Sequence, residues 1–327
     1  MSKPNLFQLA TKELSQDGFI SWLLLWADKS NASYNKELNE AAKGFVRLLL
    51  GKDKSYSVET VSVEKQWNDI DIWADINDSE AIIIEDKTDT SEHDNQLVRY
   101  KEIAERECER TGQNLYCVYL KTGNESLSVE EQIEAKGYKV IRRSLFLSLL
   151  ESHNVENDIY NDFVDSLRRI EEATNDYSTV DKIYNSWRAC EGFYIHLQKE
   201  IPEWSDWGYV ANASGGFMGF WYHWNGSSLF SDVYIQIENG GDAPKLVIKV
   251  AGKDITVENL YSALDKVVEI GREEGLVIEK PYRYRAGNTS TLAIVPDAFQ
   301  EETFSVSSFI DTLHALERVI DKYCENY

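Results

Sequence analysis

The chain has 327 residues, of which 43% are hydrophobic and 12% aromatic, and its formal net charge is −22. This composition supplies enough apolar material for one large or two ordinary domains, and it excludes a disordered or fibrous protein. The charge excludes nucleic-acid binding by overall positive charge, since neither half of the chain has a basic excess. A nucleic-acid partner would have to be bound by a local basic patch, or through metal ions held by carboxylates.

Apolar segments and cysteine spacing indicate where in the cell the protein is expected. Residues 19–27 form the most apolar stretch near the N-terminus, and they fall far short of the roughly 20 residues that cross a bilayer. No basic segment precedes them, so they do not resemble a signal peptide. We therefore predict no membrane association. The cysteines lie far apart, without CxxC or zinc-like spacing, which predicts a reducing cytoplasm. These cysteines are Cys108, Cys117, Cys190 and Cys324.

Hydrophobic periodicity predicts alternating helices and strands over the first 174 residues. In chain order these are a helix over 11–27, a helix over 35–50 ending at Gly51, strands over 56–64, 69–76 and 81–84, a helix over 92–110, strands over 115–120 and 138–141, and helices over 143–152 and 156–173.

A polar break at residues 175–179 predicts a boundary between domains 1–174 and 175–327. The second domain is expected to have an α+β fold. Its predicted elements are a helix over 180–200, antiparallel strands within 204–239, a strand over 245–250, a helix over 257–274, strands over 276–280 and 292–295, and a helix over 304–323.

The most informative segment is 69–87, which contains two strands and a turn. If residues 77–79 form a three-residue hairpin loop, Ile76 lies opposite Glu80, and the residue numbers of every later opposed pair add up to 156. Asp71 then lies opposite Glu85, with Cβ atoms roughly 4.5–5.5 Å apart. Lys87 points to the same side, because side chains alternate along a strand. One face of the hairpin therefore carries two carboxylates and an ammonium, and isoleucines on the other face enter the core.

Two facing carboxylates require a counter-charge, and Lys87 supplies part of it. Mg²⁺ could supply the rest, since it is held by one or two carboxylates together with waters and substrate phosphate. This arrangement predicts phosphodiester hydrolysis, with the ammonium orienting water or stabilising developing charge. The alternative is a solvated strand end, because the acid-x-Lys pattern also occurs at residues 134–136.

A second pattern opens the following helix. Gln96, Arg99 and Tyr100 lie within one helical turn, and the chain contains one Gln-xxx-Tyr sequence. Here an amide, a guanidinium and a phenol could contact a phosphate near the acidic face. The alternative is a polar helix surface on which Tyr100 packs against the sheet.

A helix, then a hairpin with Asp71 and Glu85-x-Lys87, then a helix with Gln96-xxx-Tyr100, resembles the PD-(D/E)XK nuclease superfamily. Within it, the pattern is similar to an uncharacterised bacterial branch whose Gln-xxx-Tyr element resembles that of RecB-like and lambda-exonuclease-like members. The resemblance implies a restriction-endonuclease-like αβββαβ core in an α/β fold, followed by an accessory α+β domain of unknown role.

This resemblance covers roughly residues 6–150, and Ile70 stands where the family has a proline before its first acid. It implies Mg²⁺-dependent cleavage of DNA, with Mn²⁺ as a substitute. By the same resemblance Asp71, Glu85 and Glu13 would hold the metal, Lys87 would be the catalytic lysine, and the Gln-xxx-Tyr pair would position the strand. From spacing alone, Glu13 could equally be a capping acid of the first helix. The reserve candidates for the first acid are Asp69 and Glu64.

The second domain offers weaker signals. Its aromatic residues between 204 and 224 are typical of sheet packing, and the alternation of tyrosine and arginine at 282–285 is its best candidate for a nucleic-acid contact. A homodimer or a partner protein bound through this domain stays open. By family analogy the protein would act against foreign DNA or in DNA processing. One alternative is that the substrate is RNA. Another is that the protein is a catalytically inactive binding or scaffold module.

Overall fold

Two five-stranded sheets organise the chain, and each belongs to a separate unit. The computed structural model describes residues 4–90, 92, 95–212 and 215–327. The first unit runs to Glu172 and the second starts at Ala173, except that Ser126–Ser128 belongs to the second.

The first unit has the predicted αβββαβ core. Its elements are α1 (Glu13–Trp26), α2 (Lys36–Leu50), β1 (Val61–Trp67), β2 (Ile70–Ile76), β3 (Glu80–Lys87), α3 (Gln96–Thr111), β4 (Asn114–Lys121), α4 (Leu127–Ala135), β5 (Lys139–Arg142), α5 (Arg143–Glu151) and α6 (Asp158–Thr174). Together with the second unit, this arrangement confirms a restriction-endonuclease-like core followed by a C-terminal α+β domain.

Local chemistry explains where these helices begin and end. The Asn35 side chain caps α2 by accepting a hydrogen bond from Leu38 N, and Gly51 ends it in the left-handed conformation. Helix α3 begins later than predicted, because Asn95 has a φ of 54° and cannot belong to a right-handed helix. Helix α4 was not predicted, since its sequence lacks a clear apolar stripe.

The sheet order is β1-β2-β3-β4-β5, with antiparallel pairing up to β3 and parallel pairing from β3 to β5. Ile76 lies opposite Glu80 and Ile72 opposite Ile84, so the predicted register of the hairpin is confirmed. Asp71 and Glu85 follow these pairs at the end of the hairpin that is remote from its turn.

Both faces of this sheet are covered, and all residues of β3 are buried. Ile72 and Ile84 pack with α1 and α2 on one face. On the other face, Ile83 packs with Leu97 and Tyr100 of α3. Parallel strands usually have both faces buried in this way. The acid-bearing end of β3 is therefore buried, and it is not the solvated strand end that the sequence left open as an alternative.

The second unit contains α7 (Val180–Asn185), α8 (Trp187–Glu200), β6 (Ser205–Val210), β7 (Phe217–Asn225), β8 (Asp232–Asn239), β9 (Lys245–Ala251), α9 (Val257–Glu273), β10 (Thr289–Val295) and α10 (Val306–Asn326). Its antiparallel sheet has the order β10-β9-β8-β7-β6, and one of its faces forms a core with α8, α9 and α10.

Two predictions for the second unit were wrong. The helix over 180–200 is broken at Ser186, whose side chain caps α8 by accepting a hydrogen bond from Ala189 N. Residues 276–280 form no strand but a single bridge between Glu279 and Ile294. Pro281 follows directly and has no N–H to extend the pairing.

Among the described residues, no helix is long and apolar enough to span a membrane. The four cysteines are free thiols. Of the aromatic residues between 204 and 224, Trp207 and Tyr222 are buried in the core, whereas Trp204, Tyr209 and Trp224 are exposed.

Candidate active site

The candidate site is at the ends of two neighbouring strands. Glu85, Asp86 and Lys87 close β3, and Asp71 lies near the start of β2. The backbone N–H of Asp86 donates a hydrogen bond of 3.1 Å to Asp71 Oδ2, which ties the two strand ends together. Gln66 Nε2 donates to the other oxygen of Asp71 at 3.3 Å.

Glu85 and Lys87 form an ion pair that is almost completely buried. Lys87 Nζ lies 2.5 Å from Glu85 Oε1, and the two residues are 8% and 1% exposed. Glu85 Oε2 is buried and accepts no hydrogen bond from any described residue. Asp71 is half-buried, so the cluster reaches solvent on its side. The strand ends therefore bring together the predicted pair of acids and the lysine.

The pKa shifts at this cluster reflect burial first and neighbouring negative charge second. Burial and then the Asp71 carboxylate raise the pKa of Glu85 to about 7, although Lys87 acts in the opposite direction. Burial tends to lower the pKa of Lys87, but the hydrogen bond and the charge of Glu85 outweigh it and raise that pKa. Lys87 is accordingly an ammonium at neutral pH, and a further cation would favour the charged form of Glu85.

Two further carboxyls lie beside this cluster and were missed from the sequence. Asp86 is fully buried, and Gln16 Nε2 donates to its Oδ1 at 2.5 Å. Asp17, on the next position of α1, lies within hydrogen-bond reach of Asp86. Burial and the Asp71 carboxylate raise the pKa of Asp17 to about 6, and burial raises that of Asp86 well above its usual range. One oxygen of each carboxyl accepts no hydrogen bond from the described residues.

Glu13 lies at the first turn of α1 and holds the segment after β3. Its Oε1 accepts hydrogen bonds from Thr88 N, Thr88 Oγ1 and Thr90 Oγ1 at 3.2, 3.3 and 2.7 Å. Burial would raise the pKa of Glu13, but these hydrogen bonds outweigh it and lower the pKa. By the family resemblance, Glu13 was expected to hold the metal, and that role stays a prediction. Its contacts assign Glu13 at least to positioning Thr88 and Thr90.

Strand β4 supports this segment from the other side. Lys121 lies opposite Lys87 in the parallel pair, is 2% exposed, and donates from Nζ to the carbonyl oxygen of Thr90 at 2.5 Å. Gly123 passes so close to the chain that a Cβ there would lie 2.0 Å from the carbonyl oxygen of Thr88. The end of β3 is thus fixed by contacts from both α1 and β4.

The Gln-xxx-Tyr element adopts the predicted geometry within its helix. Gln96 Nε2 donates to the Tyr100 hydroxyl at 2.9 Å, and Arg99 lies over the Tyr100 ring. Tyr100 is 4% exposed and packs on the sheet. In the described part of the chain, no hydrogen bond joins Gln96 or Tyr100 to Asp71, Glu85 or Lys87. Tyr100 therefore has the packing role that the sequence left open, and a role toward substrate stays a prediction.

The remaining candidates lie elsewhere. Asp69 is in the turn between β1 and β2 with a φ of 69°, so it does not continue the strand face of Asp71. Glu64 pairs with Trp73 in the β1–β2 ladder, farther along the hairpin. In the second unit, Tyr282 is 98% exposed.

The donor set can be tested for its fit to a divalent cation. Across residues 4–90, 92, 95–212 and 215–327, no three acidic, histidine or cysteine side chains converge closely enough to enclose an ion by themselves. Buried carboxylate oxygens without donors are nevertheless present on Glu85, Asp86 and Asp17. They fit Mg²⁺, which takes one or two protein carboxylates and completes its shell with water and phosphate.

A sequence signal for the missed acids existed. Asp86 is the middle residue of the acid-x-Lys motif, and Asp17 lies four positions after Glu13 on one face of α1. What the sequence could not show is that α1 crosses the end of β3, which brings positions 17 and 86 together.

Comparison with known proteins agrees with this geometry. Residues 4–143 match the family model of the PD-(D/E)XK nuclease superfamily, a stretch that runs from before α1 to the start of α5. No curated protein and no solved structure matches the chain. By this match, residues 4–143 are similar to the PD-(D/E)XK nuclease superfamily.

Proposed function

We propose that the protein is a metal-dependent nuclease that hydrolyses phosphodiester bonds of DNA. The observation that carries this proposal is the contact of Lys87 with Glu85 beside Asp71, at the open end of the β2–β3 hairpin. The match to a nuclease superfamily supports phosphodiester hydrolysis as the reaction class. Glu85 has a buried carboxylate oxygen that accepts no hydrogen bond from described residues, and this oxygen could bind a cation.

In this proposal Asp71 and Glu85 hold the cation, with Glu13 or Asp17 as the further acid from α1. When bound, the cation would polarise the phosphate and lower the pKa of a bound water. Between the two α1 acids, Asp17 has a buried oxygen that accepts no hydrogen bond from described residues, whereas Glu13 already accepts three. The charge of Asp71 also acts on Asp17. These contacts favour Asp17 over Glu13 as the acid that α1 adds beside Asp71 and Glu85, while no three described carboxylates enclose an ion by themselves.

Lys87 acts as a charged donor rather than as a base. Its ion pair with Glu85 keeps the ammonium protonated and fixes its direction. An ammonium in this position can orient the attacking water by hydrogen bonding and stabilise negative charge that develops on the phosphate. Gln96 is half-buried at the start of α3 and could donate to a phosphate if its bond to Tyr100 rearranges.

The direct test is a cleavage assay on linear DNA, circular DNA and RNA, each with Mg²⁺, with Mn²⁺ and with EDTA. We expect cleavage of DNA that requires the metal. Cleavage of circular DNA would indicate internal cuts, whereas cleavage confined to linear DNA would indicate an exonuclease. Cleavage of RNA alone would overturn the choice of substrate, and cleavage in EDTA would overturn the metal dependence.

The second candidate is a nuclease fold used as a binding or scaffold module. It is favoured by one observation, the 1% exposure of Glu85, which limits access to that carboxylate. Such a protein would cleave neither DNA nor RNA with either metal. It would also gain no thermal stability from millimolar Mg²⁺ or Mn²⁺, which separates it from a nuclease tested on the wrong substrate.

A further inference from the structure

A cavity of about 700 Å³ lies in the first unit between the C-terminal ends of α2 and α5. It is lined by α2, by the segment that follows it and by the end of α5, and its volume is in the range of small-molecule sites. The lining residues that matter here are Arg47, Lys52, Lys54, Gly44, Leu149 and His153. None of them belongs to the candidate active site.

The charges around this cavity are unusual for a chain with a net charge of −22. Arg47, Lys52 and Lys54 place three basic side chains on its wall. Two carboxylates also line it, and both are already engaged. Glu40 pairs with Lys43 at 3.2 Å, and Asp53 accepts hydrogen bonds from Ser55 N and Oγ.

Arg47 and Lys52 are held by neighbouring groups, and the Glu80 carboxylate lies near enough to Lys52 to act on its charge. Arg47 donates from Nε to the carbonyl oxygen of Tyr56 at 2.9 Å, and its terminal nitrogens donate to no described residue. Lys52 Nζ lies 5.8 Å from the ring centroids of both Tyr56 and Tyr116. An arginine fixed through Nε presents the two remaining amino groups together, an arrangement that suits the oxygens of a phosphate.

The C-terminal ends of α2 and α5 oppose an anion less than uncapped helix ends would, because a carbonyl group of each accepts additional hydrogen bonds. The Leu48 carbonyl accepts hydrogen bonds from Gly51 N and Lys139 Nζ. At the end of α5, the Leu149 carbonyl accepts from Ser152 N and Oγ. These donors satisfy carbonyl oxygens that would otherwise present negative partial charge to the cavity.

The floor of the cavity is shaped by a glycine inside a helix. Glycine at such a position costs about 1 kcal/mol relative to alanine. At Gly44 a Cβ would lie 3.3 Å from Leu149 Cδ1 and 3.4 Å from His153 Cε1. The absent side chain therefore lets α5 approach and leaves an apolar surface, formed with Leu149, beside the three cations.

We propose that this cavity binds a phosphorylated small molecule of nucleotide size. The cations would bind its phosphates, and the apolar floor at Gly44 and Leu149 would contact its organic part. The proposal is independent of cleavage at Asp71, Glu85 and Lys87, since the residues of the two sites do not overlap.

The test is isothermal titration calorimetry, which measures the affinity of the full chain for pyrophosphate, AMP, ATP and a short single-stranded oligonucleotide. EDTA is present throughout, so that no metal at the active site can recruit phosphate. We expect ATP to bind more tightly than pyrophosphate and AMP. Loss of one charged donor should weaken ATP binding about tenfold for Arg47→Gln and less for Lys54→Gln. Lys36→Gln, an equal loss of charge at the exposed start of α2, should have no effect.

Each outcome decides the proposal. Lys54 is exposed, so Lys54→Gln keeps the test valid even if Arg47→Gln unfolds the protein. Failure of pyrophosphate and of both nucleotides to bind, or equal binding by Lys54→Gln and Lys36→Gln, would overturn it. Binding of the oligonucleotide alone would also overturn it, and would indicate a surface that binds the sugar-phosphate backbone of a nucleic acid. Asp71→Asn should leave ATP binding unchanged, which separates this site from the proposed nuclease site.

Discussion

Lys87 is the residue at which catalysis and stability can be separated. If the proposed function is right, Lys87→Met should reduce cleavage about 10²–10³-fold, because it removes the charged donor that the proposal assigns to the reacting phosphate. It should also cost about 3–5 kcal/mol of unfolding free energy, because Glu85 would remain buried without its partner. The double variant Glu85→Gln/Lys87→Met should recover most of that stability and none of the activity. Denaturant unfolding and cleavage rates measure the two effects.

Lys101→Met is the matched control for this experiment, since Lys101 lies on α3 and contacts the Lys136 carbonyl rather than the site. It should retain both cleavage and stability. If the double variant regains cleavage along with stability, neither Glu85 nor Lys87 is needed for catalysis, and both proposed roles are wrong.

His223 predicts a pH dependence that is confined to the second unit. Its Nδ1 lies 2.7 Å from Glu203 Oε1 and its Nε2 2.9 Å from Asp321 Oδ1, so both ring nitrogens face acceptors. Burial would lower the pKa of His223, but Glu203, Asp321 and the nearby Glu317 outweigh it and raise that pKa above 6.5. The stabilisation is therefore complete below pH 6.5 and is lost as the pH rises through the higher pKa of the folded state.

Thermal unfolding of the full chain between pH 5.5 and 8.5 tests this prediction. The transition of the second unit should move to lower temperature as the pH rises, and His223→Gln should reduce that movement. An unchanged pH dependence in His223→Gln would show that other groups cause it.

At the scale of elements, the close contact between the ends of β3 and β4 should be intolerant of added volume. Gly123→Ala would force the chain away from Thr88, whose carbonyl oxygen lies 2.0 Å from the added Cβ. We expect reduced stability and slower cleavage together, because Thr88 follows Lys87 directly. The control is Gly18→Ala in α1, where no atom lies within 4 Å of the added Cβ. It should stabilise the helix by up to about 1 kcal/mol.

These two substitutions are compared by denaturant unfolding and by cleavage rate. If Gly123→Ala is as stable and as active as the wild type, the segment after β3 adjusts freely, and contacts from β4 do not position the site.

Elements whose signals are local could be predicted from the sequence, and those that depend on distant contacts could not. Residues 77–79 fix the hairpin register through their own turn chemistry, and Gly51 ends α2 through its own conformation. In contrast, the alternation in β2 gave no sign that α3 covers the acidic face. The break at Ser186 was missed because a serine is tolerated within a helix and caps one equally well.

The same distinction applies to the candidate site. Asp71, Glu85 and Lys87 were predicted together because they lie on one hairpin. Asp17 was missed because its approach to Asp86 depends on how α1 packs across the sheet, which no local pattern encodes.

For the whole molecule, the net charge of −22 makes binding of a polyanion unfavourable unless cations intervene. The candidate site adds to this problem, because buried acids cluster where the substrate phosphate would lie. A divalent cation would offset the charge of the clustered acids locally, and the account therefore depends on its binding at the strand ends.

The most direct measurement is the change in melting temperature on adding Mn²⁺ or Mg²⁺ to the wild type and to Asp71→Asn. We expect millimolar metal to raise the melting temperature of the wild type and to leave Asp71→Asn unchanged. Asp75→Asn is the matched control, since Asp75 lies on the same strand face but accepts hydrogen bonds from Trp73 and Gln113 instead. It should respond as the wild type does. Absence of any shift in the wild type, or an equal shift in Asp71→Asn, would contradict a metal site at the ends of β2 and β3.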